Sequence, residues 1–161
     1  MEATTEERAK VAELVKAAKI ALFTTVNGHG QLVSRPLGVQ EVEFDGDLWF
    51  FTQHPTDKTA EIAAHPQVNV AFESGNGYVS IAGTAELVLD KAKAEELWSK
   101  SAEAWFPDGR EDPTIALIKV HAETAEYWSM DHATPVVLFK IAKAYVTGGQ
   151  PDAGDNKVVE L

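Results

Sequence analysis

Residues 48–58 have the sequence LWFFTQHPTDK, and the rest of the chain is organised around this stretch. Its first four residues are apolar and mostly aromatic, which is typical of a buried strand, and the turn signal Asp45-Gly46 precedes them. The proline and polar residues that follow indicate a short loop. A helical pattern then begins at Thr56 and continues over residues 56–64. The stretch therefore predicts a strand, a loop and a helix start in immediate succession.

The predicted helix start combines several features that suit an anion. Thr56 is a suitable N-cap, which puts Asp57 and Lys58 in the first turn of the helix. A first turn also has unpaired backbone N–H groups and the positive end of the helix dipole. A hydroxyl and an ammonium placed there can hold a phosphate. An ordinary capped helix with a solvated lysine is the alternative, because short motifs of this kind often occur by chance.

The composition suits one globular domain that does not bind nucleic acid. The chain has 161 residues, of which 45% are hydrophobic and 24% are charged. Its formal net charge of -11 argues against nucleic acid and anionic membranes as partners, because both need a basic protein surface. The absence of cysteine excludes disulfides, zinc–thiolate sites, iron–sulfur clusters and thiol catalysis. No signal or transmembrane segment is recognisable, so we expect a cytoplasmic protein.

The remaining patterns predict an antiparallel barrel. After a capped amphipathic helix at the N-terminus, about six short strands follow at hairpin spacing, without the regular βαβ alternation of a Rossmann fold. One of these strands, residues 32–39, contains Arg35-Pro36. Proline cannot donate to a strand ladder, so this strand has an edge or a bulge there.

The second half of the chain predicts further helices and strands. Asp90 is the predicted cap of a helix that continues through Ala102, and separate strands are predicted at 115–120 and 123–128. Residues 135–147 have the pattern of a last helix. We expect one domain over residues 1–149 and a polar, loosely held tail over 150–161, in which Val158, Val159 and Leu161 could still dock.

Common catalytic motifs are missing from the sequence. The Gly75-Asn76-Gly77 segment lacks the third glycine of a dinucleotide loop and predicts a hairpin turn instead. The serines lack a nucleophile elbow, and the five histidines are scattered without metal-ligand spacing. We therefore expect an organic cofactor to carry any chemistry.

An ordered set of motifs resembles the flavin-binding split barrels related to pyridoxamine 5′-phosphate oxidase. The resemblance covers nearly the whole chain, and several of its pieces are similar to the general stress protein 26 branch in particular. It implies a mainly β (α+β) fold, a six-stranded antiparallel split β-barrel with flanking helices. The motifs are Arg35-Pro36-Leu37, residues 48–52, Thr56-Asp57-Lys58, residues 78–85, Trp105-Phe106-Pro107-Asp108-Gly109, residues 125–128, and residues 143–148 with 154–156.

The resemblance also implies an FMN site at the interface of a homodimer. Arg35, Thr56 and Lys58 take the positions that hold the FMN phosphate in this family, and their chemistry suits that role. The other implied flavin contacts are Pro36, Leu37, Phe51, Thr52, Tyr78 and, from the partner chain, Trp128. As plain structural alternatives, Arg35 is a solvated arginine, Trp128 closes one end of the barrel, and Tyr78 is a core or interface residue.

Departures from the oxidase pattern limit the function that the resemblance implies. Asp57 replaces an arginine and Gln40 replaces a lysine, and no arginine follows Trp128. We therefore expect a flavin-dependent oxidoreductase of unspecified substrate rather than a pyridoxamine phosphate oxidase. Two alternatives remain open: a flavin-binding or flavin-buffering protein without turnover, and a split barrel that uses another cofactor, F420 or haem. Catalytic side chains remain unknown, and no metal site is expected.

Overall fold

The fold is built on one antiparallel sheet with helices packed against it. A computed structural model describes residues 3–129, 143, 146–148 and 155–161. The helices are α1 (Thr5–Ala17), α2 (Asp57–Ala64), α3 (Lys91–Leu97) and α4 (Lys100–Trp105), followed by a 3-10 turn at Gly109–Glu111. The strands are β1 (Ile20–Val26), β2 (Leu32–Gly38), β3 (Asp47–Gln53), β4 (Gln67–Ser74), β5 (Gly77–Val88), β6 (Ile115–Ser129) and β7 (Asp155–Glu160).

The strand order makes an open barrel. Six of the seven described strands follow the order β2-β1-β4-β5-β6-β3, and β7 pairs with β6 outside this path. The two ends of the path, β2 and β3, are not hydrogen-bonded to each other, so the barrel remains split. This confirms the mainly β split-barrel fold. The described sheet contains one strand more than the predicted six, because residues 155–160 join it.

The position of β2 at the end of the path explains how it tolerates Pro36. Among the described strands β2 pairs with β1 alone, in a register that runs without a shift from Leu32 opposite Val26 to Gly38 opposite Ile20. An edge strand has one row of backbone groups without a ladder partner, and proline is accommodated there. Of the two structures that the sequence allowed, an edge or a bulge, the edge is therefore observed.

Two apolar clusters lie on opposite sides of β3. Adjacent residues of a strand point to opposite faces. Phe50 accordingly packs in the main core with Phe23, at a ring-centroid distance of 5.6 Å. Phe51 instead belongs to a smaller cluster with Leu97 and Phe106, between β3, β6 and the helices α3 and α4. This second side of β3 forms part of the cavity described below.

Two predicted element boundaries are wrong. The helix expected to continue from Asp90 through Ala102 is divided into α3 and α4, because Ser99 caps a new helix by accepting a hydrogen bond from the backbone N–H of Ala102. The two strands expected at 115–120 and 123–128 are one strand, β6. Its pairing with β5 shifts at Ala82 and Gly83, and a bulge of this kind keeps the strand continuous.

The end of the chain also differs from the expectation of a loose tail. Residues 155–160 form β7, which pairs with β6 from Thr124 opposite Glu160 to Ser129 opposite Asp155. Val159 is buried in the main core, whereas Val158 is 70% exposed. The helix predicted at 135–147 lies mostly outside the described residues. No helix in the described ranges is long and apolar enough to cross a membrane.

Candidate functional site

A cavity of about 250 Å³ opens beside edge strand β2. It lies at the split between β2 and β3, with the start of α2 and the end of α4 completing its wall. Its lining includes five residues that the sequence assigned to flavin, and it adds others that were not assigned. The lining residues are Arg35, Pro36, Leu37, Gly38, Gln40, Phe51, Gln53, Lys58, Ser101, Ala102, Trp105 and Phe106.

Arg35 is held at the cavity by a closed set of hydrogen bonds. It lies on β2 opposite Phe23 of β1. Its Nη1 donates to Thr25 Oγ1 at 2.5 Å and its Nη2 donates to Glu61 Oε2 at 3.1 Å. The hydroxyl of the fully buried Thr25 donates in turn to Glu61 Oε2 at 2.6 Å. The guanidinium therefore has a defined position, and its charge is balanced by a carboxylate.

Lys58 supplies a positive charge that nothing in the described part of the chain balances. It is in the first turn of α2, two residues after the N-cap Thr56. No carboxylate or hydrogen-bond acceptor pairs with its ammonium among the described residues. Burial lowers the pKa of Lys58, and the positive charge of Arg35 lowers it further. An unpaired, half-buried ammonium beside an arginine is a site that an anion would stabilise.

The wall between β2 and α4 is apolar and partly aromatic. Leu37 and Phe51 are each 9% exposed, and Phe106 is buried behind Phe51 at a ring-centroid distance of 6.1 Å. The indole of Trp105 is 59% exposed at the outer edge, and its Nε1 lies 3.5 Å from where a Cβ on Gly38 would be. A flat, apolar ligand group would have suitable contacts along this wall.

Four of the nine predicted phosphate and flavin contacts do not line the cavity, and two of these, Thr52 and Thr56, are next to it in the chain. The Thr56 hydroxyl accepts the backbone N–H of Thr59 at 3.3 Å, and Thr59 Oγ1 accepts the backbone N–H of Thr56 at 3.0 Å. Thr56 thus closes a capping box at the helix start. Thr52 is 4% exposed, and its hydroxyl donates to Gln53 O at 3.2 Å. Both side chains therefore bond to the backbone beside the cavity, and neither forms part of the cavity surface.

Tyr78 and Trp128 form a separate pair on the outer face of the sheet. They lie directly opposite each other on β5 and β6 and are 46% and 39% exposed. Neither residue lines the cavity of the same chain. Leu22, which is 52% exposed, follows the same strand alternation on β1. The chain therefore leaves large apolar side chains exposed on the outer face that also includes Trp128, the residue that the resemblance assigns to the flavin of a partner chain.

Glu61 and the α4 residues are part of the site although the sequence did not assign them to it. Glu61 is three residues after Lys58 on α2, and this spacing puts both side chains on one helix face. That spacing is the feature of the sequence that could have indicated Glu61 as a site residue. No flavin contact was predicted for the aromatic pair Trp105-Phe106, because the end of a helix gives no indication of what it faces. Gln40 was noticed only as a departure from the oxidase.

Two further cavities lie outside this arrangement. One, of about 480 Å³, lies beside α3 and the start of β6. Its lining includes His54 after β3, Trp98 after α3 and Arg110 of the 3-10 turn, and none of the residues assigned to flavin. The other, of about 850 Å³, follows α1 and adjoins the site cavity, with which it shares Gly38, Gln40, Ser101 and Trp105. The described residues contain no group of three or more His, Cys, Asp or Glu that could hold a metal ion.

Comparison with known proteins gives the same family from several directions. The family described as "Pyridoxamine 5'-phosphate oxidase like" matches residues 6–152. General stress protein 26 of Bacillus subtilis (strain 168) is 29% identical over 92 residues, which cover 54% of this chain and 65% of that protein. The chain therefore spans slightly less than two thirds of this relative's length. These matches confirm the resemblance that the sequence motifs indicated.

Solved structures share the fold over most of their length. A general stress protein 26 from Jannaschia sp. CCS1 has a TM-score of 0.76 and 25% identity, and the match covers 98% of this chain and 100% of that one. The general stress FMN/FAD binding protein of Xanthomonas citri has a TM-score of 0.70 and 26% identity, covering 81% of this chain and 93% of that one.

Proposed function

Because the chain belongs to the pyridoxamine 5′-phosphate oxidase-like family, we propose that it is an FMN-binding protein of the general stress type. We propose further that it acts as a flavin-dependent oxidoreductase on a substrate other than pyridoxamine phosphate. A relative from Xanthomonas citri is described as an FMN/FAD binding protein, which supports a flavin as the ligand. The oxidase binds its own substrate, as the resemblance implies, through an arginine-rich C-terminal segment. The absence of any arginine after Arg110 speaks against that substrate here.

The observation that carries the proposal is the ammonium of Lys58, which has no partner among the residues that the structure describes. Arg35 already has Glu61 as a counter-charge at 3.1 Å, so Lys58 contributes the uncompensated charge at the cavity. A phosphate with nearly two negative charges would balance Lys58 and use the remaining donors of the Arg35 fork. The start of α2 adds free backbone N–H groups on the same side.

The shape of the cavity suits a flavin that is only partly enclosed by one chain. Its volume of about 250 Å³ lies just below the roughly 300–1,000 Å³ of ordinary small-molecule sites. A complete FMN would therefore extend beyond it. The exposed pair Tyr78 and Trp128 and the exposed Leu22 favour a second copy of the chain as the cover. We therefore propose a homodimer with Trp128 of one chain near the flavin of the other.

In this arrangement the roles of the residues follow from their contacts. Lys58 and Arg35 would bind the phosphate, while Pro36, Leu37 and Phe51 would line the ring and exclude water from it. Thr52 and Thr56 would support this geometry through the backbone. Bound flavin supplies the redox chemistry, since it accepts and returns one or two electrons. We also propose a cytoplasmic location, which fractionation of the producing cells would test.

A flavin-holding protein without turnover is the second candidate. Its support is the composition of the cavity lining, which contains no aspartate, glutamate or histidine among the described residues. General acid–base catalysis needs such a group within hydrogen-bond reach of the substrate. This candidate predicts FMN reduction by NADH or NADPH at the rate of free FMN, whereas the oxidoreductase predicts a faster reaction.

The visible absorption spectrum of the purified protein is the direct test. We expect a yellow protein, or a colourless one that becomes yellow on addition of FMN, with quenching of its four tryptophans on titration. FMN should bind more tightly than riboflavin, because riboflavin lacks the phosphate. Equal affinity for the two flavins would refute the phosphate site, and failure to bind FMN would refute the proposed function. Titration with F420 and haem distinguishes the remaining cofactors.

A further inference from the structure

The side-chain oxygen of Gln40 is a buried acceptor without a donor. Gln40 follows β2 and lines the same cavity as Lys58. Its Oε1 is the buried side-chain polar atom that lacks a hydrogen-bond partner in the described part of the protein. A buried acceptor without a partner is destabilising by roughly 1–3 kcal/mol, and nearly all such groups in native proteins have one. Something outside the described chain is therefore expected to complete it.

The orientation of the Gln40 amide follows from its one hydrogen bond. Nε2 donates to the carbonyl oxygen of Gly38 at 3.4 Å. The reversed amide would put two oxygen atoms against each other, so the oxygen is the end without a partner. The bond to Gly38 is long, and the terminal torsion of glutamine is broad, so the amide can turn towards the cavity at little cost.

The neighbouring polar groups of the cavity do not satisfy this oxygen. Ser101 and Trp105 line the cavity beside Gln40, and both have a side-chain donor. Neither donates to Gln40 Oε1 within the described residues. Of the two cations of the site, Arg35 is paired with Glu61, and Lys58 has the proposed phosphate as its natural partner. Once its amide turns towards the cavity, this acceptor is available to an uncharged N–H group of a ligand.

We infer that Gln40 accepts a hydrogen bond from the imide N–H of the flavin ring, and this inference rests on the proposed function. Oxidised flavin has a single ring N–H, N3–H, which lies between two carbonyl groups on the edge of its pyrimidine portion. An uncharged acceptor matches that donor. The lysine that the resemblance puts at this position has only donors, so Gln40 gives this chain a different contact with the ring edge. Gln40 is a specificity-determining residue rather than a catalytic one.

The test compares FMN with 3-methyl-FMN, in which a methyl group replaces the N3 hydrogen. The two ligands have the same phosphate, so the contribution of Lys58 and Arg35 cancels in the ratio of their dissociation constants. We expect the wild type to bind FMN about tenfold more tightly, the size of one hydrogen bond to a buried acceptor. Gln40→Leu should reduce this preference to about twofold. Gln40→Ala, which makes room for the methyl group, should remove it.

A matched control separates this hydrogen bond from a general effect of losing an amide. Gln67 is an exposed residue of β4 that does not line this cavity, and Gln67→Leu should keep the full preference for FMN. Thermal unfolding of each variant without ligand shows whether it is folded. The preference is a ratio for one protein, so a moderate loss of stability does not change it.

The outcomes distinguish this inference from the proposed function. Tight FMN binding with an equal affinity for 3-methyl-FMN would overturn the role of Gln40 and leave the flavin site standing. A tenfold preference that persists in both Gln40→Leu and Gln40→Ala would also overturn it, because the methyl group would then clash elsewhere. If the wild type binds neither flavin, the proposed function fails and this inference fails with it.

Discussion

Arg35 and Glu61 form an ion pair across the cavity wall, with Nη2 of the arginine 3.1 Å from Oε2 of the glutamate. The pair joins edge strand β2 to helix α2, and its side chains are 22% and 15% exposed. The arginine that the sequence assigned to a phosphate is therefore bound to a carboxylate already. This contact holds the guanidinium in place, and it also reduces the net positive charge that a ligand experiences.

Glu61→Gln should strengthen FMN binding while it weakens the fold. The glutamine keeps an acceptor for Arg35 but removes a negative charge near the proposed phosphate, so FMN affinity should rise by about 1 kcal/mol, or several-fold. Riboflavin affinity should stay the same. Loss of the partly buried ion pair should lower the free energy of unfolding by roughly 1–2 kcal/mol. Flavin titrations and urea unfolding measure the two effects, and weaker FMN binding would show that Glu61 mainly positions Arg35.

Lys58→Ala and Arg35→Ala should each weaken FMN binding by ~1.5–3 kcal/mol, because each removes a charge-assisted hydrogen bond. Riboflavin binding should change much less, since it has no phosphate. Lys91→Ala is a matched control, because it removes one exposed lysine whose ammonium is paired with Glu111 at 3.0 Å. The three variants are compared by tryptophan quenching at one ionic strength. An equal loss for FMN and riboflavin would contradict the phosphate assignment.

Leu22→Glu should separate the proposed dimer. Leu22 is 52% exposed on the outer face of β1, where its register neighbours are Pro36 and Ala71. A buried, unpaired carboxylate at an interface is strongly unfavourable, so the variant should sediment as a monomer and lose most of its FMN affinity. Leu89→Glu is the control, because Leu89 is 67% exposed but lies after β5, away from that face. Sedimentation velocity distinguishes the two, and a wild type that is already monomeric would refute the dimer.

Gly83→Ala should destabilise the protein by more than about 2 kcal/mol, although Gly83 is far from the proposed flavin site. A Cβ at this position would overlap the backbone carbonyl oxygen of His121, at the bulge where β5 and β6 change register. Backbone atoms in a paired strand cannot move away cheaply. Gly75→Ala is the control, because no atom lies within 4 Å of where its Cβ would be. Chemical unfolding of both variants would show whether only the first is affected.

Stability should fall in acid partly through Asp47. Burial alone would raise its pKa, but hydrogen bonds with His121 and Lys119 and their positive charges outweigh burial and leave the pKa below its ordinary value of 3.8. A lowered pKa in the folded state means that the contribution is complete above pH 3.8 and is lost as the pH falls through the folded value. Asp47→Asn should therefore be less stable than the wild type at pH 7 by about 0.5 kcal/mol.

The test is how the difference in unfolding free energy between the wild type and Asp47→Asn changes with pH. We expect the wild type and Asp47→Asn to converge in urea-unfolding free energy as the pH falls from 3.8 through the lower pKa of the folded state, where the native carboxylate becomes protonated. His121 is 72% exposed at its side chain, so the comparison should be made at one salt concentration to keep screening constant. A constant difference across the whole range would show that Asp47 acts through packing rather than charge.

Local chemistry was enough to predict the start of α2. Thr56 caps the helix, Lys58 lies in its first turn, and the helix ends before His65-Pro66. These features depend on neighbouring residues alone, since a cap needs a hydroxyl and a helix stop needs a proline nearby. The same holds for the hairpin at Gly75-Asn76, which joins β4 to β5. The break between α3 and α4 was missed, although the cap at Ser99 that causes it is also a local feature.

The partners of the site residues could not be predicted in this way. Glu61 is 26 residues from Arg35, and Phe106 is 55 residues from Phe51, so their contacts depend on how the sheet closes. The continuity of β6 likewise depends on its register with β5. Long-range pairing depends on burial and packing of the whole chain, and no single segment contains that information.

The sequence by itself determined the family, the split-barrel class and the capped start of α2. Through the resemblance it also assigned Arg35 and Lys58 to one predicted phosphate site. Only the tertiary structure decided that Glu61 neutralises Arg35, that Lys58 remains unpaired within the described residues, and that Gln40 beside the cavity keeps a buried oxygen without a donor among those residues. The physical reason is that propensity and capping act over a few residues, whereas charge balance and hydrogen-bond satisfaction depend on atoms that folding brings together from distant parts of the chain.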